Sequence, residues 1–394
     1  MTASAASRAG PERPPAPPAA LPLAGCRVLE RSRSVAAAYA GRLLATLGAR
    51  VLMLEPPGGS PLRRAAPRIE PGGESALFAY LAAGKRSLEC DTLSDAGRQR
   101  LRQELQAADL LLDDTPLAER GAHGLQPQQV AECAPRLIHV SVLPFGASGP
   151  KAAWDGEEVN LLHAGGEGYL LPNGYAQELF PERPPLKIYG PFAGYQGGCL
   201  AALSALSAWW KVDTEGGRFV DVSVQDAVLA VGAFALQRLG DGSLEHRATR
   251  KFRYGGVFQA RDGFVEILTL EDRQWEALLD LLQRPAWSAD PALRDPLERS
   301  RRGDQINRHI RVWMAGQDVD QVVRRAQQLG VPAARYRAPD EVLGGEHEAA
   351  RGLFADIELP LAGAARALRA PYQFLRTPLP GGGRVPRLGE GGQP

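Results

Sequence analysis

The sequence predicts an α/β protein built on a parallel sheet, and three observations carry that expectation. A short apolar run at Cys26–Leu29, an apolar stretch with helical spacing at Val35–Leu47 and a second apolar run at Arg50–Leu54 follow one another closely. Strand, helix and strand at that spacing form a βαβ unit, which requires parallel strands and a right-handed crossover. The alternation continues to about residue 145. At 394 residues the chain exceeds one compact domain of usual size, so two domains are expected.

Each element has a local reason. Gly48 closes the first helix. Glu55 ends the second strand and the turn PPGGSP follows it, and in open α/β sheets ligands gather at the carboxyl ends of strands. The first turn holds no GxGxxG, so the dinucleotide fingerprint is absent. Gly84–Asp91 (GKRSLECD) reads as a basic turn leading into a strand, and Ser94–Ala107 as an amphipathic helix. Asp109–Asp113 and Pro135–Val142 read as short apolar strands, the second running into FGASGP. Glu157–Leu171 reads as a helix that ends at its glycines. A Gly-rich turn after Pro184 then feeds a long apolar helix, followed by the strand RFVDVSV and a helix from about Ala227 to Leu239, with Asp226 as its candidate N-cap. The polar, basic stretch GDGSLEHRATRKFRYGG marks a shift in composition. Beyond it come a hairpin at Val257–Leu268 around Asp262-Gly263 and amphipathic helices near Arg273–Leu282, Gln305–Ala315 and Asp320–Leu329, which suit a smaller α+β domain. Little regular structure is expected beyond Leu375.

Composition narrows the function classes. The net charge of +1 gives no electrostatic case for nucleic acid or an anionic membrane surface. Four scattered cysteines, Cys26, Cys90, Cys133 and Cys199, form no CxxC, so neither a zinc site nor a disulfide framework is expected, and reduced cytoplasmic thiols are. Cys199, on the apolar helix, reads as core. The first 22 residues, rich in Ala and Pro, read as a disordered tail rather than a signal peptide. The most apolar run, Cys199–Trp210, is too short to span a bilayer.

Laid out in order, these pieces resemble the class III CoA-transferase family (the CaiB/BaiF family of formyl-CoA transferases, carnitine CoA-transferases and α-methylacyl-CoA racemases). The resemblance runs from Leu23 to Glu390. It is carried by LAGCRVLE, AGRLLATLGARVLMLEPPGG, GKRSLECD, ADLLLDDTPLAERGAHGL, PRLIHVSV with PFGASGP, GGRFVDVSVQDAV, ARDGFVEI, LGVPAARYRAPDEVL and PRLGE. It implies a large Rossmann-like domain made from both ends of the chain: residues 23–240, with a return at 346–390. A linker and small domain at 241–345 come between. It also implies an interlocked homodimer, or a heteromer with a paralogue, and coenzyme A or an acyl-CoA thioester as ligand, with no metal.

The resemblance also places residues. Val35 and Ala36, after the first strand, and the turn after Glu55 approach the CoA nucleotide. The family often has a basic residue directly after that Glu; Pro56 stands there, with Arg63 and Arg64 just downstream to supply charge. Asp91 closes the KRSxxxD motif, and Arg120 matches a CoA-contacting arginine, whose guanidinium fork suits a phosphate. Solvated surface charge is the competing reading for Arg63, Arg64 and Lys85. The family's transferases use one Asp as nucleophile, which forms a mixed anhydride and then an aspartyl-CoA thioester. Gly190 occupies that position, and Pro184–Ala208 contains no Asp or Glu. Glu157 and Glu158 match the segment where the racemases carry His and Asp, so proton chemistry α to the thioester from Glu157, Glu158 or His163 is one expectation. Backbone hydrogen bonding by Glu158 is the other. An Asp-less transferase, a silent subunit of a heteromer and a CoA-binding scaffold all remain open at this point.

Overall fold

The computed structural model describes residues 20–69, 73–172, 174–232 and 254–391. Contacts divide the chain into two units. The first gathers residues up to Leu143, Gly198–Val222 and the chain from Gly352 on; the second holds Pro144–Gly197 and Ser223–Arg351. The domains expected from sequence were 23–240 with 346–390, and 241–345 between them; the contact units divide the chain after Leu143, Gly197, Val222 and Arg351. The expected basic linker lies largely outside the described residues, as do the end of the Ala227–Leu239 helix and nearly all of the N-terminal tail.

The first unit is built on six strands: β1 (Arg27–Arg31), β2 (Arg50–Glu55), β3 (Arg86–Glu89), β4 (Leu110–Asp113), β5 (Ile138–Leu143) and β6 (Arg218–Ser223). Their order is β3-β2-β1-β4-β5-β6, and β1 to β5 pair in parallel. Every residue of β4 and β5 is buried, as fits strands covered on both faces. Strand order reverses between β1 and β4, which opens the crevice where ligands of such sheets bind. Around the sheet lie α1 (Val35–Thr46), α2 (Ala76–Ala82), α3 (Asp95–Ala107), α4 (Leu117–His123) and α5 (Pro127–Cys133). Leu101 and Leu105 of α3 pack on Leu29, Leu54, Leu88 and Leu111 of the sheet. The short α2, α4 and α5 were not legible as periodic segments.

In the second unit, α6 (Glu158–Ala164) and α7 (Gly174–Leu179) precede α8 (Phe192–Trp209), which runs on into the first unit. After α9 (Val212–Glu215) and β6, α10 (Val224–Val231) starts one turn before its expected N-cap. Ser223 Oγ accepts from Asp226 N at 3.1 Å, so the serine at the strand's end caps the helix and Asp226 sits inside it. The expected hairpin forms as β7 (Gly256–Ala260) and β8 (Gly263–Ile267), with β9 (Ala333–Arg335) beside β8. Helices Asp272–Leu281, Gly303–Met314 and Val319–Leu329 pack on it through Trp275, Leu278, Ile306, Ile310 and Val322. The chain returns to the first unit as an unanticipated hairpin, β10 (Phe354–Leu359) and β11 (Gly363–Leu368), with β12 (Gly383–Arg384) parallel to β10. Cys199, expected in the core, is exposed in this chain.

The carboxyl end of the sheet is stitched by charge. Lys85 Nζ donates to Glu30 Oε2 at 2.6 Å and to Ala38 O at 2.8 Å, and both side chains of the ion pair are wholly buried. Lys85 is therefore not the surface charge that its basic turn suggested. Burial pushes Glu30 up and Lys85 down, and each draws the other back toward its charged form. A Cβ on Gly41 would overlap the Glu30 carboxylate, so α1 needs a glycine there to lie over the pair. Next to it, burial pushes Glu55 up, but Arg63, the Ser60 amide and the Ser87 hydroxyl outweigh it and hold the carboxyl below its usual range.

At the switch point, Asp114 bridges the crevice. Its carboxylate accepts from Arg33 N at 2.8 Å and Ser34 N at 2.6 Å, ahead of α1. Burial, with Asp113 adding a like charge, pushes Asp114 up to about 6 against those hydrogen bonds.

Two outcomes follow for stability. Lys85→Met strands a buried carboxylate and lowers unfolding free energy by about 3–5 kcal/mol, read by urea denaturation, while the double variant Glu30→Met/Lys85→Met recovers much of the loss. Asp114 has a folded pKa raised above the unfolded value, so the stability it contributes is present below pH ~4 and lost as pH rises through ~6. The unfolding free energy of Asp114→Asn relative to the native chain therefore rises by on the order of 2–3 kcal/mol between those pH values, measured as paired denaturation curves.

Candidate functional site

The head of α8 is the centre of the second unit's candidate residues. This 18-residue helix carries no acidic residue in its first turn to meet its unpaired amides. Glu158 supplies the carboxylate from another segment. Its Oε1 accepts from Ala193 N at 2.7 Å and its Oε2 from Gly194 N at 3.1 Å. Glu158 can reach because it is the first residue of α6, which Glu157 N-caps, with Asn160 Oδ1 accepting from Glu157 N at 2.9 Å. Glu157 itself is exposed and Glu158 half-buried. Both carboxylate oxygens of Glu158 are thereby engaged by amides at the head of α8. His163, at the other end of α6, is half-buried against the short turn Glu167–Leu170. A Cβ on Gly168 would overlap its ring.

Gly190 lies two residues before α8. Its φ is +87°, a backbone conformation in which glycine is favoured, and a Cβ built there meets nothing within 4 Å. Lys187 Nζ donates to the carbonyls of Ile188 at 2.9 Å and Gly190 at 3.1 Å, fixing the turn. Neighbouring Tyr189 is almost fully exposed. This turn holds open space and a lysine, and no acid lies between Pro184 and Trp210.

The candidate CoA-contacting residues fall in the first unit. Val35 and Ala36 stand at the head of α1, half-buried and buried. Arg63 donates from Nε and Nη2 to Glu55, 2.7 Å each, and its guanidinium lies 4.4 Å from the centre of the Phe78 ring. Arg64 is exposed, one Nη1 bond going to Gly58 O at 3.0 Å. Asp91 is exposed and accepts from Leu93 N at 3.1 Å in a local turn. Arg120 is wholly buried. It donates from Nε to Thr115 O at 3.0 Å and from Nη2 to Ser141 Oγ at 2.6 Å, 3.4 Å from Asp113 Oδ2. Its Nη1 is buried without a hydrogen-bond partner among the described residues. Of these three arginines, only Arg64 presents an exposed guanidinium.

Sequence reasoning passed over several residues beside them. Arg31 is buried at the tip of β1 and donates to Thr115 Oγ1 at 2.9 Å and Thr92 Oγ1 at 3.2 Å; Thr92 also pairs with His123 Nδ1 at 2.7 Å. His139 Nε2 lies 3.1 Å from Asp113 Oδ2, and burial of Asp113 is outweighed by His139 and Arg120, which hold its carboxyl low. These groups form a polar floor under the carboxyl ends of β1, β4 and β5. Asp114 fills the amides at the head of α1, where other α/β sheets receive a phosphate. The only sequence signal for this arrangement was the acid pair Asp113-Asp114 directly after an apolar strand.

Among the described residues no group of three or more His, Cys, Asp or Glu side chains is placed to hold a metal ion, and no helix is long and apolar enough to cross a membrane.

Comparison with known proteins gives one answer. Residues 23–391 match CoA-transferase family III. The chain is 30% identical to a probable CoA-transferase of Mycobacterium tuberculosis, the alignment covering 87% of this chain but 44% of that protein. It thus spans less than half the length of that relative. It is 27% identical to the succinyl-CoA–L-malate CoA-transferase alpha subunit of Chloroflexus aurantiacus, over 94% of this chain and 86% of the other. Its fold is similar to that of a CAIB/BAIF family protein from Brucella suis, with a TM-score of 0.82 at 26% identity, covering 94% of this chain and 97% of that one. The chain belongs to CoA-transferase family III.

Proposed function

We propose that this chain handles the CoA or pantetheine thioester of a small acyl acid, as a class III CoA-transferase does, but without an aspartyl nucleophile of its own. The observation that carries this reading is the head of α8. Gly190 offers open space in place of a side chain, and the carboxylate that reaches the head of α8, Glu158, is committed to the Ala193 and Gly194 amides. Without that nucleophile, the acceptor's own carboxylate attacks the thioester carbonyl and expels CoA thiolate. The thiolate then attacks the acceptor's carbonyl in the mixed anhydride, yielding the new thioester and the free donor acid. Binding both acids at one place supplies the effective concentration that a covalent intermediate otherwise provides. The name of the Chloroflexus relative makes succinyl-CoA the first donor to try.

A second reading has its own support. That relative is named as an alpha subunit, and the mycobacterial relative is more than twice as long as the stretch this chain matches. Both facts suit a chain that works beside a second, Asp-bearing copy of the fold. Trp210 and Leu375 are 84% and 95% exposed in the single chain, which also suits a partner, such as the other chain of an interlocked pair. Proton chemistry is less well supported for Glu158, whose carboxylate is tied to amides, than for exposed Glu157.

One experiment sorts these readings. The purified chain is incubated with succinyl-CoA and other acyl-CoAs, with free carboxylic acids, in deuterated water, and the products are weighed by mass spectrometry. CoA exchange by the chain alone is the expected result. Exchange only after adding an Asp-bearing paralogue assigns it as a silent subunit, α-deuteration assigns proton chemistry, and no change in any arm removes the enzymatic readings.

Gly190→Asp is the companion test. Asp is among the residues that tolerate positive φ, at a cost of about 1–2 kcal/mol, and nothing stands in the way of its side chain. At least a tenfold gain in exchange is expected, with an enzyme-bound CoA adduct detectable by mass. A folded variant with no gain argues that the head of α8 is not where thioester chemistry occurs.

A further inference from the structure

Three adjacent parallel strands of the first unit each begin with arginine: Arg27 in β1, Arg50 in β2 and Arg86 in β3. The register puts Arg27 directly opposite Arg50, and Arg86 opposite Leu52, two residues further along β2. Partnered residues of a parallel pair share a face, and residues two apart on a strand do too. All three arginines therefore emerge on one face of the sheet, the face covered by α3. They are exposed, and with Leu29, Leu52, Ala107 and Ala108 they line a pocket of about 160 Å³ beside the last turn of α3. This is the amino end of the strands, opposite the crevice at the carboxyl ends of β1 and β4.

The charge here is not balanced from within. Arg27 and Arg50 make no side-chain hydrogen bond or ion pair among the described residues, and Arg86 donates only to Gly391 O at 2.8 Å. Glu104 lines the pocket, but its carboxylate accepts from Arg100 at 2.8 Å. Asp109 accepts from the Arg27 backbone at 2.8 Å. The carbonyl end of α3 offsets about half a charge. Like charges directly opposite on neighbouring strands are destabilising, which is an unusual choice for a site that holds nothing.

We infer that this pocket binds a small organic dianion of the dicarboxylate class, away from the thioester site. Each carboxylate takes one guanidinium fork, from Arg27 and Arg50 or from Arg50 and Arg86, and a short methylene chain lies on Leu29 and Leu52. The apolar floor separates this ligand from inorganic phosphate, and the need for two charges separates it from a monocarboxylate of equal length. The inference stands independently of which reading of the α8 head is right.

The full-length chain is titrated with succinate at low ionic strength, by calorimetry and by saturation-transfer NMR, with butyrate and inorganic phosphate as comparison ligands. Succinate is expected to bind at least tenfold tighter than either. Arg50→Gln is expected to weaken succinate at least tenfold, and Arg27→Gln/Arg50→Gln to abolish it, while CoA binding is unchanged. Because both side chains are exposed and unpartnered, the ligand-free variants are expected to melt at or above the native temperature. Succinate binding that survives in the double variant, or that CoA thioester displaces, places the ligand elsewhere and overturns the inference. So does no binding by ~50 mM, phosphate binding as tight as succinate, or a fall of several degrees in the ligand-free melting temperature, which assigns the arginines to the end of α3.

Discussion

The pair Glu30–Lys85 sets the terms for the rest of the first unit. An unpaired carboxylate or ammonium at that depth would cost several kcal/mol, so the two must meet. Meeting fixes three segments at once: the end of β1, the turn before β3 and, through Ala38 and Gly41, the body of α1. The neighbouring acids repeat the device. Glu55 at the end of β2 takes Arg63, and Asp113 at the end of β4 takes His139 and Arg120. Arg63 also reaches Pro386 O at 3.2 Å, and Ser87 accepts from Gly389 N at 3.1 Å, so the returning end of the chain is sewn to the same edge. The carboxyl end of the sheet thus carries a layer of buried acids, each met by a basic side chain.

A second device recurs at helix heads. Asp114 caps the amides before α1, and Glu158 caps those of α8. In each case a carboxylate from a distant segment occupies the amides that a ligand's phosphate or oxyanion would otherwise take. The two differ in environment. Asp114 is buried and its carboxyl is pushed up, whereas Glu158 is half-buried. The heads of both helices are consequently met by the chain's own carboxylates.

Much of the fold was legible because its elements are periodic. The strands β1, β2, β4 and β5 are apolar runs between turn residues, and α3 announces itself by Ser94 and the spacing of Leu101 and Leu105. The hairpin β10–β11 escaped notice because its residues, FADIEL and GAARAL, are short of the β-branched and aromatic types that mark strands. The N-cap of α10 was misplaced for a related reason. Ser223 and Asp226 are both good caps, and only the point where β6 stops decides between them.

The sequence by itself determined the alternation of strands β1 to β5 with helices, the family, and the lack of any acid between Pro184 and Trp210, because each is a property of neighbouring residues. Tertiary structure decided what the charges do. Lys85 and Arg86 are adjacent in one basic turn, yet the first is buried on Glu30 and the second lines an open pocket. Arg120 looked like a phosphate ligand and sits inside the unit on Asp113 and Ser141. Lys85 meets an acid 55 residues away, and a linear pattern carries no record of which partner the fold will bring.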